Sequence, residues 1–418
     1  MIKYVAKRVR FRNGERFSVL SRPGGLPVHE VNLFLAGFRK RGRAANTIHG
    51  VCTSMALLYR ELDEAGIPLL ERLRHGQFLT VPEVNRLADA AQYRVADNSD
   101  ETHSSPNRAN VIDIKKIRMR RKSVIEEAKA VDALNQATRI RHMVHYLEFL
   151  ADYYGAALPS LQKKELALES ALVLKGLKGQ TPRVSRRAKL GAREGLSQED
   201  QNKLIAIVYP DSPDNPWQRG FVRLRNWLIV VLLLATGMRR GELLGIQIGD
   251  LNQRLPQIKI LRRADVPEDP RVIQANSKTN DRMVELRPAI MAAVWSYIKN
   301  DRRSIKAARK HPLLIVADDG EPLSFKSIDK IFVQLREACP GLPVRLTSHV
   351  MRHTWNERFS EHAELMGLSE RREEKARNEQ QGCVDDSKSA ATYTRRYASR
   401  KGREIALKLQ EKLDVTGN

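Results

Sequence analysis

Between Ser170 and Arg193 the chain carries seven Lys or Arg and no acid, punctuated by three glycines and Pro182. The segment's charge and its breaks mark a domain boundary, a linker between two separately folded parts of the chain. The stretches around it hold ample apolar residues for that, 42% of the 418-residue chain. The basic excess extends well beyond this segment. Lys plus Arg exceed Asp plus Glu by 73 − 49 = 24. A surplus of that size, spread over many segments, implies a polyanionic partner, because each cation set against a phosphate releases condensed counterions.

Other classes are excluded by what is scarce. Cys52, Cys339 and Cys383 are the chain's three cysteines, without CxxC pairing or zinc-like Cys/His spacing. A disulfide scaffold is therefore out and a reducing cytoplasm is the expected setting. The opening MIKYVAKRVRFRNGERF lacks the apolar core of a signal peptide. The longest apolar run, Trp227 to Ala235, is far short of the roughly 20 residues that span a bilayer. It reads as a buried helix, and no membrane partner is expected.

Residues 1–26 form an N-terminal extension with one or two short strands before Pro23-Gly24-Gly25. Residues 27–169 are helical, with Val28, Val31, Phe34 and Leu35, then Met55, Leu58, Tyr59 and Leu62, at helix spacing. Pro82 and Glu83 suit a first turn. An internal polar and basic loop spans 95–122, ending in Lys115, Lys116, Arg118, Arg120, Arg121 and Lys122. The run IRHMVHYLEFLADYY resumes helical periodicity, with its aromatics as core. Residues 170–195 are the basic linker, whose Lys175, Lys178, Arg183, Arg186, Arg187 and Lys189 are set to lie against a polyanion. From 196 to 418 helices dominate again, opened by Ser197 and Asp200 as a capping box. Strand character appears in IKILR (258–262), RVIQA (271–275) and RMVELRP (282–288), with a turn at Ser277 to Asp281. The class is mainly α with a small antiparallel sheet (α+β).

Four short motifs carry chemistry. In TGMRRGEL, Gly237 turns the chain and Thr236 caps a new helix. Arg239 then lies in its first turn, where backbone N–H groups favour an anion, and Glu242 lies on the same face. In SKTNDR, Lys278 sits at the tip of the expected hairpin. In SHVMRHT, His349 and Arg352 share a helix face, an acid/base group beside a bidentate phosphate ligand. In ATYTRRY, Tyr393 and Tyr397 lie among arginines that favour a phenolate. Each alone has an ordinary reading as a surface ion pair, an exposed turn lysine, a structural histidine or a packing tyrosine.

Together, in this order and spacing, the motifs resemble the tyrosine recombinase (phage integrase) family, well over Leu196 to Asn418 and loosely over the N-terminal helices. The resemblance implies a helical DNA-binding domain over 27–169 and a catalytic domain over 196–418. It places Arg239, Lys278, His349, Arg352 and Tyr393 as catalytic residues, with Glu242, His353, Cys383 and Tyr397 as auxiliary candidates. It also implies strand cleavage through a 3′-phosphotyrosyl link, with no metal, cofactor or ATP. The implied partners are double-stranded DNA, further protomers in a tetrameric synapse, and an accessory recombinase or DNA-bending protein. The implied location is a bacterial nucleoid within the cytoplasm. The final box departs from the family pattern. Cys383 stands where His or Trp is usual, and the spacing from Gly382 to Tyr393 is about one residue long. A thiol donates weakly, so that contact is lost or taken by another residue such as His353. Two further readings share these residues: a type IB topoisomerase, and a DNA-binding accessory protein that has lost catalysis. The C-terminal REIALKLQEKL suits docking on a neighbouring protomer or on its own domain.

Overall fold

The computed structural model describes residues 4–93, 130–183, 194–277, 279–383 and 395–411, with backbone alone for 395–400 and 411. The chain divides into two compact units, Met1–Phe11 with Arg16–Ala188, and Arg12–Glu15 with Lys189–Asn418.

In the first unit, Val5–Arg10 (β1) pairs antiparallel with Arg16–Ser21 (β2), Val5 opposite Ser21. The hairpin supplies the short strands expected within 1–26, and it packs on the helices. Leu20 is fully buried in the same core as the helices, because the inward residues of β2 alternate with a period of two. Helices His29–Lys40 (α1), Ala45–Glu64 (α2), Leu69–Arg74 (α3) and Val81–Gln92 (α4) follow. α4 opens on a capping box, the Thr80 N–H donating to Glu83 Oε2 at 2.8 Å. Ala133–Gly155 (α5) is capped by Asp132, which accepts from the Asn135 N–H at 2.8 Å. Its aromatic face goes to the core, where the Tyr59 and Tyr146 hydroxyls meet at 2.6 Å.

Ser160–Gly179 (α6) closes the unit and corrects the linker boundary, since 170–179 are helix rather than linker. Gly176 and Gly179 each cost about 1 kcal/mol in a helix. Val173, Leu174 and Leu177 are buried against the same core, each contributing about 1.5–3 kcal/mol, and they win.

The second unit starts with Gln198–Val208 (α7), capped by Ser197 Oγ accepting from the Asp200 N–H at 3.1 Å. Gly220–Thr236 (α8) contains the apolar run and is buried nearly all round, with Leu228, Ile229, Val230, Leu232 and Leu233 at 0% exposure. Arg240–Gly245 (α9) leads to Gln257–Ile260 (β3), which pairs antiparallel with Arg282–Glu285 (β4), Ile260 opposite Arg282. RVIQA, expected as a strand, is not one. Arg271 reaches inward to Asp269, Leu244 O and Leu323 O, while Val272 and Ile273 are exposed. Side-chain bonds to three separate partners fix that backbone in place of ladder pairing.

Pro288–Ser296 (α10), Phe325–Ala338 (α11), Ser348–Leu365 (α12), Glu370–Gln381 (α13) and Arg395–Glu411 (α14) complete the unit. α14 meets α12 in the same chain through Lys401 Nζ and Glu364 at 2.8 Å, leaving Ile405, Leu407 and Leu409 exposed. Among the described residues each unit thus holds one two-stranded antiparallel sheet within a mainly helical body, the class expected. Among those residues no helix is long and apolar enough to cross a membrane.

Candidate active site

Gly237 ends α8 in the left-handed region, φ +61°. A Cβ there would lie 2.7 Å from the Trp355 ring and 2.8 Å from Gln381 Nε2. Glycine is therefore needed twice over, for conformation and for space. Its carbonyl accepts from Arg352 Nη1 at 2.9 Å, across 115 positions of sequence. Arg352 is buried to 1% exposure on the second turn of α12, whose N-terminus Thr347 caps by accepting the Val350 N–H. The turn after α8 is thereby bound to the SHVMRHT helix.

Thr236 does not cap α9 as the sequence suggested. Its hydroxyl donates to Leu232 O at 2.7 Å and accepts from the Met238 N–H at 3.2 Å, because Thr236 is the last residue of α8 rather than the start of α9. Arg239 occupies the cap position instead. Glu242 reaches back to accept from the Arg239 N–H at 3.0 Å and from its Nη1 at 3.3 Å.

The Glu242 side chain is completely buried. It also accepts from Arg282 Nη2 at 2.7 Å and from Thr279 Oγ1 at 2.8 Å. Burial pushes its pKa up. The Arg282 charge and hydrogen bond, the Arg239 N–H and the Arg352 charge outweigh that, and the carboxyl is held below its ordinary value. Ser277 and Thr279 flank Lys278, with hydroxyls 2.7 Å apart and both side chains buried beside Glu242. Lys278 itself lies outside the described residues. The segment it belongs to is the return strand's entry, not the tip of a tight hairpin, since β3 ends at Ile260.

The start of the final box meets this segment directly. The Asn280 N–H donates to Gly382 O at 2.8 Å. Gly382 has φ +61°, and a Cβ would stand 2.8 Å from Asn280 O. Cys383 follows, its N–H bonded to Asn378 O at 2.8 Å and its Sγ 3.9 Å from Gln381 O, a weak contact. His349 and His353 sit one turn apart with rings perpendicular and centroids 4.8 Å apart.

Arg239, Glu242 and the residues on both sides of Lys278 are thus linked by short bonds near the end of α8, where Arg352 holds Gly237 and Gly382 holds Asn280. Three guanidinium groups surround one carboxylate there, so the cluster is net positive and suited to an anion. Tyr393 lies outside the described residues, as do Lys115, Lys116, Arg118, Arg120, Arg121, Lys122, Arg186, Arg187 and Lys189. Tyr397 is on α14, and its side chain is likewise outside them. Lys175 and Lys178 are exposed on α6, Lys178 bonded to Glu148 at 2.7 Å, and Arg183 is exposed beyond its end.

Sequence reasoning missed Arg282, Thr279, Trp355 and Gln381. A signal for Arg282 exists. In RMVEL the period of two that turns Val284 inward turns Arg282 inward too, and a buried arginine needs an acid.

Residues 196–369 match the phage integrase family. Over that span the chain is similar to the tyrosine recombinases. The matched span contains Arg239, Glu242, Lys278, His349, Arg352 and His353 and stops before Cys383 and the two tyrosines. Among curated relatives, tyrosine recombinase XerD of Halalkalibacterium halodurans is 27% identical over 158 residues, 38% of this chain and 48% of the relative. Tyrosine recombinase XerC of Methylobacterium nodulans is 29% identical over 160 residues, 36% of this chain and 42% of the relative. The chain thus spans about half the length of the curated relatives it matches. Among solved structures, XerA recombinase aligns over 61% of this chain and 77% of its own at 21% identity and a TM-score of 0.35. A lambda integrase dimer bound to a COC′ core site aligns over 87% and 76%, at 12% identity and a TM-score of 0.47.

Proposed function

We propose that this chain is a tyrosine recombinase, a site-specific DNA recombinase that cuts and rejoins strands through a covalent phosphotyrosine. The observation that carries the reading is the Arg352–Gly237 bond. It sets Arg352 beside the turn that leads into Arg239 and its partner Glu242. In the proposed mechanism the two guanidiniums hold the non-bridging oxygens of the scissile phosphate and stabilise the charge of the pentavalent transition state. The Tyr393 oxygen attacks phosphorus while its proton passes to His349, the O–P bond to the 5′ oxygen breaks, and Lys278 protonates that oxygen. Rejoining reverses the steps, so the phosphodiester energy is retained. DNA in the form of two sites, four protomers and an accessory recombinase or DNA-bending protein complete the proposed assembly, at the bacterial nucleoid. The exposed Ile405, Leu407 and Leu409 face of α14 is proposed to seat on a neighbouring protomer.

One experiment tests the chemistry whatever the target sequence. A randomised pool of nicked duplexes is passed over the protein, and molecules retained after denaturation are sequenced. Wild type is expected to trap a covalent complex on a recurring site, and Tyr393→Phe to trap none. Trapping by Tyr393→Phe but not by Tyr397→Phe would transfer the nucleophile's role to Tyr397. A wild type that binds the pool yet never traps would leave the accessory DNA-binding reading, which the weakly bonded Cys383 thiol favours.

A further inference from the structure

A buried carboxylate three positions from Arg239 is at first sight a defect in a phosphate site, since it would cancel the charge that the phosphate needs. The distances resolve this. Glu242 lies 2.7 Å from Arg282 Nη2 but 3.3 Å from Arg239 Nη1. The Arg282 side chain is 5% exposed, whereas that of Arg239 is 28% exposed. The buried pair is therefore Glu242 with Arg282, and Arg239 is the cation turned toward solvent. Arg282 also donates from Nη1 to Thr279 Oγ1 at 3.0 Å, and the same Nη1 lies 3.0 Å from where a Gly382 Cβ would be. One guanidinium thus bonds both the first-arginine box and the Lys278 segment, and that segment meets the start of the final box through the Asn280 N–H and Gly382 O at 2.8 Å.

We propose that Arg282 is a positioning residue with two effects. It neutralises Glu242, so that Arg239 and Arg352 keep their charge for a phosphodiester. It also ties Thr279 to Glu242, holding in place the segment whose Asn280 N–H bonds the Gly382 carbonyl. Among the described residues the cluster carries three cations and one anion with Arg282, 3 − 1 = +2, and one unit less without it, 2 − 1 = +1. A phosphodiester gains negative charge on its way to the pentavalent state, so the lost unit weakens the transition state more than the ground state. This deepens the recombinase reading and rests on it.

The test uses the full-length protein and a nicked duplex selected as above, with single-turnover covalent trapping, DNA affinity and thermal melting read in parallel. Arg282→Gln is expected to slow trapping by roughly 100-fold or more with DNA affinity little changed. Arg282→Lys is expected to stay within about 10-fold of wild type, since it keeps the charge. The decisive variant is Glu242→Gln combined with Arg282→Gln, in which a neutral amide still caps Arg239 and no buried anion needs a partner. It is expected to recover at least about 10-fold over Arg282→Gln alone, a coupling that two independent defects do not give. A double variant that melts like wild type yet traps no faster than Arg282→Gln overturns the neutralising role. Arg282→Gln trapping at the wild-type rate overturns the whole inference. A wild type that fails to trap overturns the recombinase reading and this inference with it, so the two failures are told apart.

Discussion

Arg239 and Arg352 are proposed for the same task, yet their surroundings differ. Arg239 is partly open to solvent, and its backbone position at the start of α9 is secured by Glu242. Arg352 is sealed at 1% exposure and holds the Gly237 carbonyl. Truncating a buried donor leaves its acceptor without a partner, which costs about 1–3 kcal/mol before any cavity is counted. Arg352→Ala is therefore expected to lose about 2–3 kcal/mol of stability in urea denaturation, and Arg239→Ala under about 1 kcal/mol. Equal losses would contradict the division between a structural and an exposed guanidinium. A matched Arg352→Lys variant separates folding from cleavage. Glu242 belongs to the same scale: its lowered pKa is produced by the Arg282 and Arg352 cations and the Arg239 backbone N–H, and only the last of these is a neighbour in sequence.

Among the elements, α8 organises the site by where it stops. Its apolar residues are plain in the sequence, and so is the glycine that ends it. The constraint on that ending becomes visible only when Trp355 and Gln381 are found against Gly237. Left-handed backbone costs a residue with a Cβ about 1–2 kcal/mol, and the Trp355 ring must also move. Gly237→Ala is expected to lower stability by about 2 kcal/mol or more and to slow covalent trapping further than stability accounts for. A shift under about 0.5 kcal/mol in chemical denaturation would contradict the close packing described. β4 teaches a complementary lesson. Its alternation marks a strand, and the same alternation turns Arg282 inward, a consequence that the strand pattern alone does not put forward as part of a site. RVIQA and the start of the linker depart from expectation for the opposite reason. Local composition suggests a strand and a coil, but side-chain bonds from Arg271 and apolar burial along α6 decide otherwise.

At the scale of the molecule, the two units differ in the polar groups they enclose. The second holds the charged cluster around Glu242, whereas the first half-buries histidines beside serines. Ser18 Oγ meets His49 Nδ1 at 3.1 Å and Ser54 Oγ meets His142 Nδ1 at 3.0 Å. Burial, then the charge of Arg8, lowers the His49 pKa to about 4. Burial, then Arg141 and His145, brings His142 to about 4 as well. Both folded values lie below the ordinary 6.5, so between about pH 6.5 and 4 the unfolded chain binds more protons. Stability is full above pH 6.5 and declines as pH falls through that window. Thermal melting is expected to drop between about pH 6.5 and 4, and the drop to shrink in His49→Gln with His142→Gln. An unchanged pH slope in that double variant would contradict it. The sequence by itself determined what depends on neighbours along the chain: mainly helical units, a buried apolar helix closed by glycine, and the arginines, histidines and tyrosines worth weighing. Tertiary structure alone decided which charges meet. Glu242 and Arg282 are 40 positions apart and Gly237 and Arg352 115 apart, and such pairs form only when burial removes water and leaves each charge or carbonyl no other partner.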